Sequence, residues 1–383
     1  MVDKTHDVIV IGAGPVGSHT AYLLSKEGLN VGIFEKNTAI GEAVNCTGII
    51  STECFTKFKL PRDIIHKPFD SIKAFSPSGN CIQYQSSTPI AYVINRSLFD
   101  KKMNHLAVDA GATTYLNMRV DEIVSTNGDF CITVKTGKEK REFKSKVGIL
   151  ANGFELNTLR DVIKRPKKFL YGIQTDAIMD NVSTIEVYFG NNIAPGSFGW
   201  VVPTGEKSTK IGLITKENPS SFLKKFLQNP LIKNRLLASD EHIKCSLIPF
   251  GSIPKSYAER LLVVGEAAGQ VKTTTGGGIY FGLLCSAIAS RTIKEAFQRG
   301  DFSAKMFKEY ETTWKRTVEP EVKAGMKLRN LFSRFSDSQI DFLVDLAKRD
   351  GILPDIKNSN FDWQKDIILS LSRHLISKKL FSR

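Results

Sequence analysis

Histidine and tryptophan are scarce in this chain of 383 residues, at six and three copies. The six cysteines, at 46, 54, 81, 131, 245 and 285, include no C-x-x-C pair, so neither a zinc-ligand set nor a disulfide framework is legible. Scattered single thiols suit a reducing compartment. Long apolar runs are missing too: the longest, Ile279 to Ala289, is too short to span a bilayer. No leader with a cleavage site precedes the first strand pattern, so a soluble, cytoplasmic protein is expected. Acid is in deficit: 39 Asp and Glu stand against 53 Lys and Arg, a formal net charge of +14. That balance favours an anionic partner such as a phosphorylated ligand, a lipid head group or nucleic acid, although no nucleic-acid module is recognisable. The 42% hydrophobic and 24% charged content excludes wholesale disorder, and the length suits two or three domains.

What is present is organised from the start of the chain. Asp7 to Ile11 is a β-branched apolar run of the kind buried on both faces of a parallel sheet. Gly12-Ala13-Gly14-Pro15-Val16-Gly17 follows, then a helical pattern that stops at Gly28, then a second strand, Val31 to Phe34, ending at Glu35. Gly12, Gly14 and Gly17 fit G-x-G-x-x-G. The first allows a tight turn, the second lets backbone approach a pyrophosphate, and the third permits close helix–strand packing. The helix N-terminus offers free N–H groups to phosphate, and Glu35 is placed to accept from ribose hydroxyls. The unit predicts dinucleotide binding. It does not choose between FAD and NAD, but its position near the N-terminus favours FAD. No second copy occurs, so a nicotinamide would bind transiently or not at all.

Further along, residues 71–94 read as short strands. A helix is predicted from Ser97 to Ala110, with Ser97-x-x-Asp100 as a capping box. Residues 118–149 alternate strands and turns, and Val147 to Ala151 is another buried strand. Residues 170–215 are strand-rich, and 218–237 read as helix interrupted at Pro230. Arg260 to Val264 is a further buried strand. It leads through Gly265-Glu266 to Gly276-Gly277-Gly278, which opens the apolar helix at 279–289, and from about 280 onward the pattern is mostly helical.

The run LLVVGEAAGQVKTTTGGG at 261–278 resembles FAD enzymes of the p-hydroxybenzoate-hydroxylase type and, among them, the geranylgeranyl reductase family. Three more segments carry the resemblance. Ala91 to Asp100 (AYVINRSLFD) is similar to the family's Y-x-V-x-R-x-x-F-D segment, whose Arg lies by the flavin. Pro195 to Pro203 (PGSFGWVVP) is similar to its P-x-x-Y-x-W-x-F-P cavity motif, and Asn45-Cys46-Thr47-Gly48 to its flavin-facing cysteine loop. The likeness covers roughly residues 5–300, and the tail resembles members of this group less specifically. It departs at Glu266, where the family has Asp, and at Phe198 and Val202, where it has Tyr and Phe. The pocket is expected to be less polar and slightly wider.

The resemblance implies an α/β fold in which a Rossmann-like FAD-binding domain is interleaved with an antiparallel-sheet substrate domain, followed by a helical C-terminal region. The expected boundaries are 1–68, 95–165 and 245–300 for the first, 69–94 and 166–244 for the second, and 301–383 for the third. The expected FAD contacts are Gly12, Gly14, Pro15, Gly17, Glu35, Lys36, Arg96, Gly265, Glu266, Gly276, Gly277 and Gly278. Reduced flavin carries negative charge near N1 and O2, and a glycine-rich helix N-terminus can bring N–H groups against that edge. Phe198, Trp200, Val202 and Pro203 are expected to wall a tunnel for a long apolar chain. The plainer alternatives are a solvated charge at Arg96, core packing at Trp200 and its neighbours, and a tight packing turn at the glycines.

The implied activity is reduction of C=C bonds in an isoprenoid lipid or prenyl quinone by hydride from reduced flavin. The electron donor stays open among reduced nicotinamide, ferredoxin and quinol. Reducing an isolated double bond also needs a nearby proton donor. Cys46 is the candidate, against the commoner fate of a free cysteine as a small hydrophobe; the other five cysteines are read as structural. Two other readings stand: a flavin-dependent monooxygenase or halogenase on the same fold, and a non-catalytic lipid-binding flavoprotein. Basic clusters at 164–168, 222–235 and 362–383 mix Lys and Arg with apolar residues. They could touch a membrane peripherally or simply solvate a helix face.

Overall fold

The computed structural model describes residues 2–42, 44–125, 128–136, 139–154, 164, 166, 168–349, 361–366 and 368. The first strand, Val2–Ile11, sits at the centre of an eight-stranded sheet. It pairs in parallel with Val31–Phe34 on one side and Glu139–Leu150 on the other, and Leu261–Val263 and Thr113–Tyr115 extend the parallel run outward. Alternation decides which layer each residue meets. Val8, Val10, Val31, Ile33, Val147 and Ile149 face a core with residues from the helices Pro15–Lys26, Arg96–Asp109 and Ile279–Arg299. Ile9, Ile11, Phe34 and Leu150 face the opposite way, onto Phe130, Ile132 and Phe143 of an antiparallel meander built from Arg119–Ser125, Phe130–Thr136 and the long strand's own first half. Burying both faces explains why these strands read as continuous apolar runs.

A second eight-stranded sheet is largely antiparallel and central on Phe169–Met179, which pairs with Ser208–Thr215, Leu236–Ser239 and Lys244–Pro249. Gly199–Pro203, Ile185–Tyr188, Ser71–Phe75 and Cys81–Gln85 complete it. Ile49–Ser51, Ala91–Ile94 and Ile65–Phe69 form a small third sheet where the chain passes from one layer to the next. The chain therefore leaves and re-enters each layer, the interleaving that the sequence led us to expect. Lys244–Pro249, which spans the expected boundary at 245, pairs within the antiparallel sheet. Helices Ala304–Thr317, Glu319–Phe332 and Asp337–Arg349 make the C-terminal region. Trp314 of the first is fully buried, and its indole N–H donates to Ser256 Oγ at 2.8 Å.

Two local expectations need correction. The helix after Ile94 runs Arg96–Asp109, one residue ahead of its predicted start, and its N-cap is Asn95, whose side-chain oxygen accepts from Leu98 N–H at 3.0 Å. No Ser97 capping box forms, because Asp100 is drawn to Arg96 instead. In the 222–235 cluster, Leu223, Phe226 and Ile232 are fully buried against the antiparallel sheet while Lys224, Lys225 and Lys233 point outward. Most of that apolar face is thus spent on the domain's own core. Arg165 and Lys167 of the 164–168 cluster, and Ile367 and all of 369–383 in the C-terminal one, lie outside the described residues.

His19 sits in the seam between the first helix and Ile279–Arg299, 6% exposed, with Nδ1 2.5 Å from Ser286 Oγ. Burial pushes its pKa down to about 4. The unfolded chain, with an ordinary value near 6.5, then binds more protons than the folded one between those two values. Stability should therefore fall as pH drops through 6.5 toward 4, by about 3 kcal/mol in full. Urea unfolding of wild type and His19→Leu at pH 7.5 and 4.5 checks this: the variant should gain on wild type at the lower pH, and an unchanged gap rejects the assignment.

Candidate functional site

One cavity of about 990 Å³ runs between the two large sheets. Its floor is made by the carboxyl ends of four parallel strands, where the chain turns at Gly12–Val16, Glu35–Asn37, Ala151–Phe154 and Val264–Glu266. Ligands in open parallel sheets bind at those ends. Its other wall comes from the antiparallel sheet, with Ile72, Ile185, Val187, Trp200, Ile214 and Ile248, and Phe198 beside them.

The glycine loop is shaped by contact. Gly12 has φ +104°, and a Cβ there would meet the Ala151 carbonyl oxygen at 2.6 Å. A Cβ on Gly17 would lie 2.0 Å from the Gly12 carbonyl, so the helix can sit this close to the strand only with glycine at 17. Glu35 braces the loop: one carboxylate oxygen accepts from Ala13 N–H at 3.0 Å, the other from Asn37 N–H at 3.0 Å. Pro15 starts the helix at a position where a missing N–H costs nothing.

Of the expected site residues, Gly12, Gly14, Pro15, Glu35, Lys36, Cys46, Arg96, Glu266, Gly276, Gly277, Gly278, Phe198 and Trp200 all line this cavity. Gly17 and Gly265 do not. They hold the turns from behind, Gly265 with φ +74° and its Cα against Val16. Val202 and Pro203 do not either. Val202 is fully buried with Phe69, Val93 and Ile185, and Pro203 pairs with Thr209. The period of two along Gly199–Pro203 puts Trp200 and Val202 on one face and Val201 in the core behind it; Trp200 reaches the cavity, whereas Val202, two residues further along that face, is covered by Phe69, Val93 and Ile185.

Arg96 is no solvated charge. It is bound to Asp100 through Nε at 3.2 Å and NH2 at 3.0 Å, and Cys46 lines the same cavity. Burial opposes its charge, but Asp100 and Cys46 prevail and hold it above the ordinary arginine range. Glu266 faces the cavity with no side-chain hydrogen-bond partner among the described residues, and burial lifts its pKa to about 7 against the opposing pull of Arg96.

Several contributors escaped the sequence reading. Thr47, next to Cys46, donates to Gln174 Oε1 at 3.0 Å and ties the cysteine loop to the antiparallel sheet. Gln174 and Trp200 flank Gly212 on adjacent strands, where a Cβ would come within 2.4 Å of the indole. Arg329, from the C-terminal region, donates to the carbonyls of Thr273 and Thr274 at 2.9 and 2.6 Å and to Ser197 Oγ at 2.7 Å. Asn152 and Gly153 stand at the end of a predicted strand, and that position was the available signal. Nothing local marked Gln174 or Arg329.

The pocket suits a large polar-and-aromatic ligand. Among the described residues, Asn152 Oδ1 and Nδ2, Gln174 Nε2 and Trp200 Nε1 are buried with no hydrogen-bond partner, and all three residues line the cavity. A Cβ on Gly14 would meet no atom within 4 Å, so its backbone is open to a ligand. These features fit FAD, with unpaired donors and acceptors near the pyrophosphate loop and an unpartnered acid for hydroxyl groups.

Comparison with known proteins agrees. A profile of the FAD dependent oxidoreductase family matches residues 7–64. The digeranylgeranylglycerophospholipid reductase of Methanocaldococcus jannaschii is 32% identical over 363 residues, covering 90% of this chain and 91% of its own. The chain belongs to that reductase family. The crystal structure of a geranylgeranyl bacteriochlorophyll reductase-like protein from Thermoplasma acidophilum superposes with a TM-score of 0.84 at 25% identity, covering 95% of this chain and 98% of its own. A flavin-dependent brominase superposes with a TM-score of 0.74 at 17% identity, covering 98% and 100%, a likeness of fold alone. The reductase is thus an FAD-dependent oxidoreductase.

Glu266 yields a pH prediction for the protein free of FAD. Its folded pKa lies above the ordinary 4.5, so the folded state binds the extra proton between 4.5 and about 7. Stability should be lost as pH rises through that window and level off above it. Thermal unfolding of the apo-protein and of Glu266→Gln at pH 4.5 and 8 tests this: the variant should gain on wild type at pH 8, and equal gaps at both pH values would reject it.

Proposed function

We propose that this enzyme saturates C=C bonds of geranylgeranyl chains carried by a glycerophospholipid. The observation that carries the reading is one cavity that holds both a dinucleotide loop and an aliphatic and aromatic wall. An isolated alkene offers nothing polar to grip, so it is held by burial of its chain. Ile185, Val187, Phe198, Trp200 and Ile214 supply such a surface.

Gly12–Gly14 backbone and Asn152 would hold the pyrophosphate, Glu35 the adenine ribose, Glu266 a hydroxyl of the ribityl chain, and Gly276–Gly278 the flavin's N1–O2 edge. When bound and reduced, FAD supplies the hydride. The chain's own task is the proton for the second carbon. Cys46 is half-buried at the cavity, which Arg96 also lines. A thiol there gives up its proton and leaves a thiolate that Arg96 stabilises, and Asp100 keeps Arg96 oriented toward it. Thr47 and Gln174 hold the loop that bears the cysteine.

The lipid is met at a bilayer surface. No helix among the described residues is long and apolar enough to cross a membrane, and the net charge of +14 favours an anionic surface. The single dinucleotide signature leaves the electron donor, whether reduced nicotinamide, ferredoxin or quinol, as a transient visitor.

The experiment is anaerobic. Enzyme reduced with dithionite is given a geranylgeranylated glycerophospholipid, and products are followed by mass spectrometry. The expected result is a stepwise gain of two hydrogens per double bond, slowed about 100-fold or more in Cys46→Ala. Products unchanged without oxygen, but carrying an added oxygen atom once air is admitted, would overturn the reductase reading. A Cys46→Ala rate equal to wild type would remove the cysteine from it.

The carboxylate has its own test. Glu266→Gln should weaken FAD binding roughly tenfold or more, the scale of one hydrogen bond to a charged group. Quenching of FAD fluorescence on titration into apo-protein measures it, and unchanged affinity would take Glu266 out of the cofactor site.

A further inference from the structure

Lys272 closes the loop that ends in the three glycines. Its N–H donates to the Gly277 carbonyl at 3.0 Å, and its own carbonyl accepts from Gly276 N–H at 2.8 Å. Its side chain stays at the loop, with Nζ 3.6 Å from the point a Gly277 Cβ would occupy. This is a buried cation lining the cofactor cavity, only 8% exposed. Its partner comes from far along the chain. Asp362, also buried, accepts from Lys272 Nζ at 2.7 Å through one oxygen and from Ser51 Oγ through the other.

Asp362 belongs to a short segment fastened across the loop at several points. Phe361 lines the cavity and lies under Lys272, its ring centroid 4.7 Å from Nζ. Gln364 Oε1 accepts from Thr274 Oγ1 at 2.6 Å, and the N–H groups of Gln364 and Lys365 donate to Glu321 at 2.8 Å. Trp363 donates to Tyr280 OH at 3.2 Å and packs on Phe281. A segment that needed only to cover apolar surface would not bury a carboxylate, since burying a charge is costly unless it is paired.

We propose that Phe361–Gln364 is a fixed part of the cofactor cavity and that the Lys272–Asp362 pair sets the charge at the glycine loop. The inference rests on the reading above, in which Gly276–Gly278 meets the flavin edge that gains negative charge on reduction. With both partners present the pair is neutral toward that edge. Without the Asp362 charge, Lys272 is an uncompensated cation beside it and favours reduced flavin. Without Lys272, Asp362 is an uncompensated anion and favours oxidised flavin. The two single changes therefore act with opposite sign, whereas a clamp of purely mechanical role, loosened from either side, acts with the same sign.

The test compares wild type with Asp362→Asn and Lys272→Met. The dissociation constant for oxidised FAD is measured on apo-protein, and the midpoint potential of bound flavin by dye equilibration; together they give the ratio of affinities for reduced and oxidised FAD. The expected outcome is a shift of that ratio by about tenfold or more toward reduced flavin in Asp362→Asn and toward oxidised flavin in Lys272→Met, tenfold being about 1.4 kcal/mol. Shifts of the same sign, or no shift with FAD still bound, overturn the proposal. Should Lys272→Met fail to fold, Lys272→Met/Asp362→Asn carries the test. Its ratio should stay within about threefold of wild type while Asp362→Asn alone moves, and a double variant that moves as far as Asp362→Asn overturns the proposal. Wild-type apo-protein that does not bind FAD would instead defeat the cofactor reading itself, an outcome separate from either of these.

Discussion

The contact between the Gly12 carbonyl and the Cα of Gly17 sets where everything else lies. At 2.0 Å from that carbonyl there is no space for a Cβ, so the first helix rests directly on the strand end. That seating aims the helix N-terminus, with its unpaired N–H groups, at the cavity. It also fixes the distance at which Glu35 can reach back to Ala13, and the surface against which Gly265 and Gly282 meet Val16. The two glycine-rich elements, far apart in sequence, are thus packed through one valine.

The second constraint is the join between the sheets. A parallel sheet covered on both faces has only its strand ends to offer a ligand, and an antiparallel sheet with one face packed has the other to offer. The cavity is where those two surfaces meet. It is tied by a few polar links rather than by a continuous core: Thr47 to Gln174, and Arg329 to Ser197 and the 273–274 carbonyls. Arg329 is buried, and burial lowers its pKa to about 10, still well above neutral pH, so it serves as a permanent three-way donor. Glycines at 212 and 325 allow these links by letting Trp200 and the 273–274 backbone come close.

Charge is handled sparingly inside the cavity. Arg96 is neutralised by Asp100 and Lys272 by Asp362, while Glu266 has no salt bridge among the described residues. Both cations are thereby fixed in position and silenced at long range, leaving local donors where a thiol and a glycine loop need them. The excess of positive charge lies outside, as on Lys224, Lys225 and Lys233, where the underlying Leu223, Phe226 and Ile232 are already buried.

The local units were readable in the chain because their causes are local. Strand, glycine turn, helix, second strand and Glu35 lie within one short stretch, and each step has a steric or hydrogen-bonding reason that neighbours supply. The family motifs around Cys46, Arg96 and Gly276 were legible for the same reason, and the interleaved layers followed from the resemblance those motifs carry. What only the tertiary structure decided is where side chains of one strand go, and which distant groups meet. Trp200 faces the cavity but Val202, on the same face of the same strand, does not, since Phe69, Val93 and Ile185 from other strands pack over it. Asn95 rather than Ser97 caps its helix, because Arg96 competes for Asp100. Asp362, Lys272 and Ser51 come together from three separate parts of the chain, and no spacing in the sequence encodes a meeting that depends on how whole layers pack.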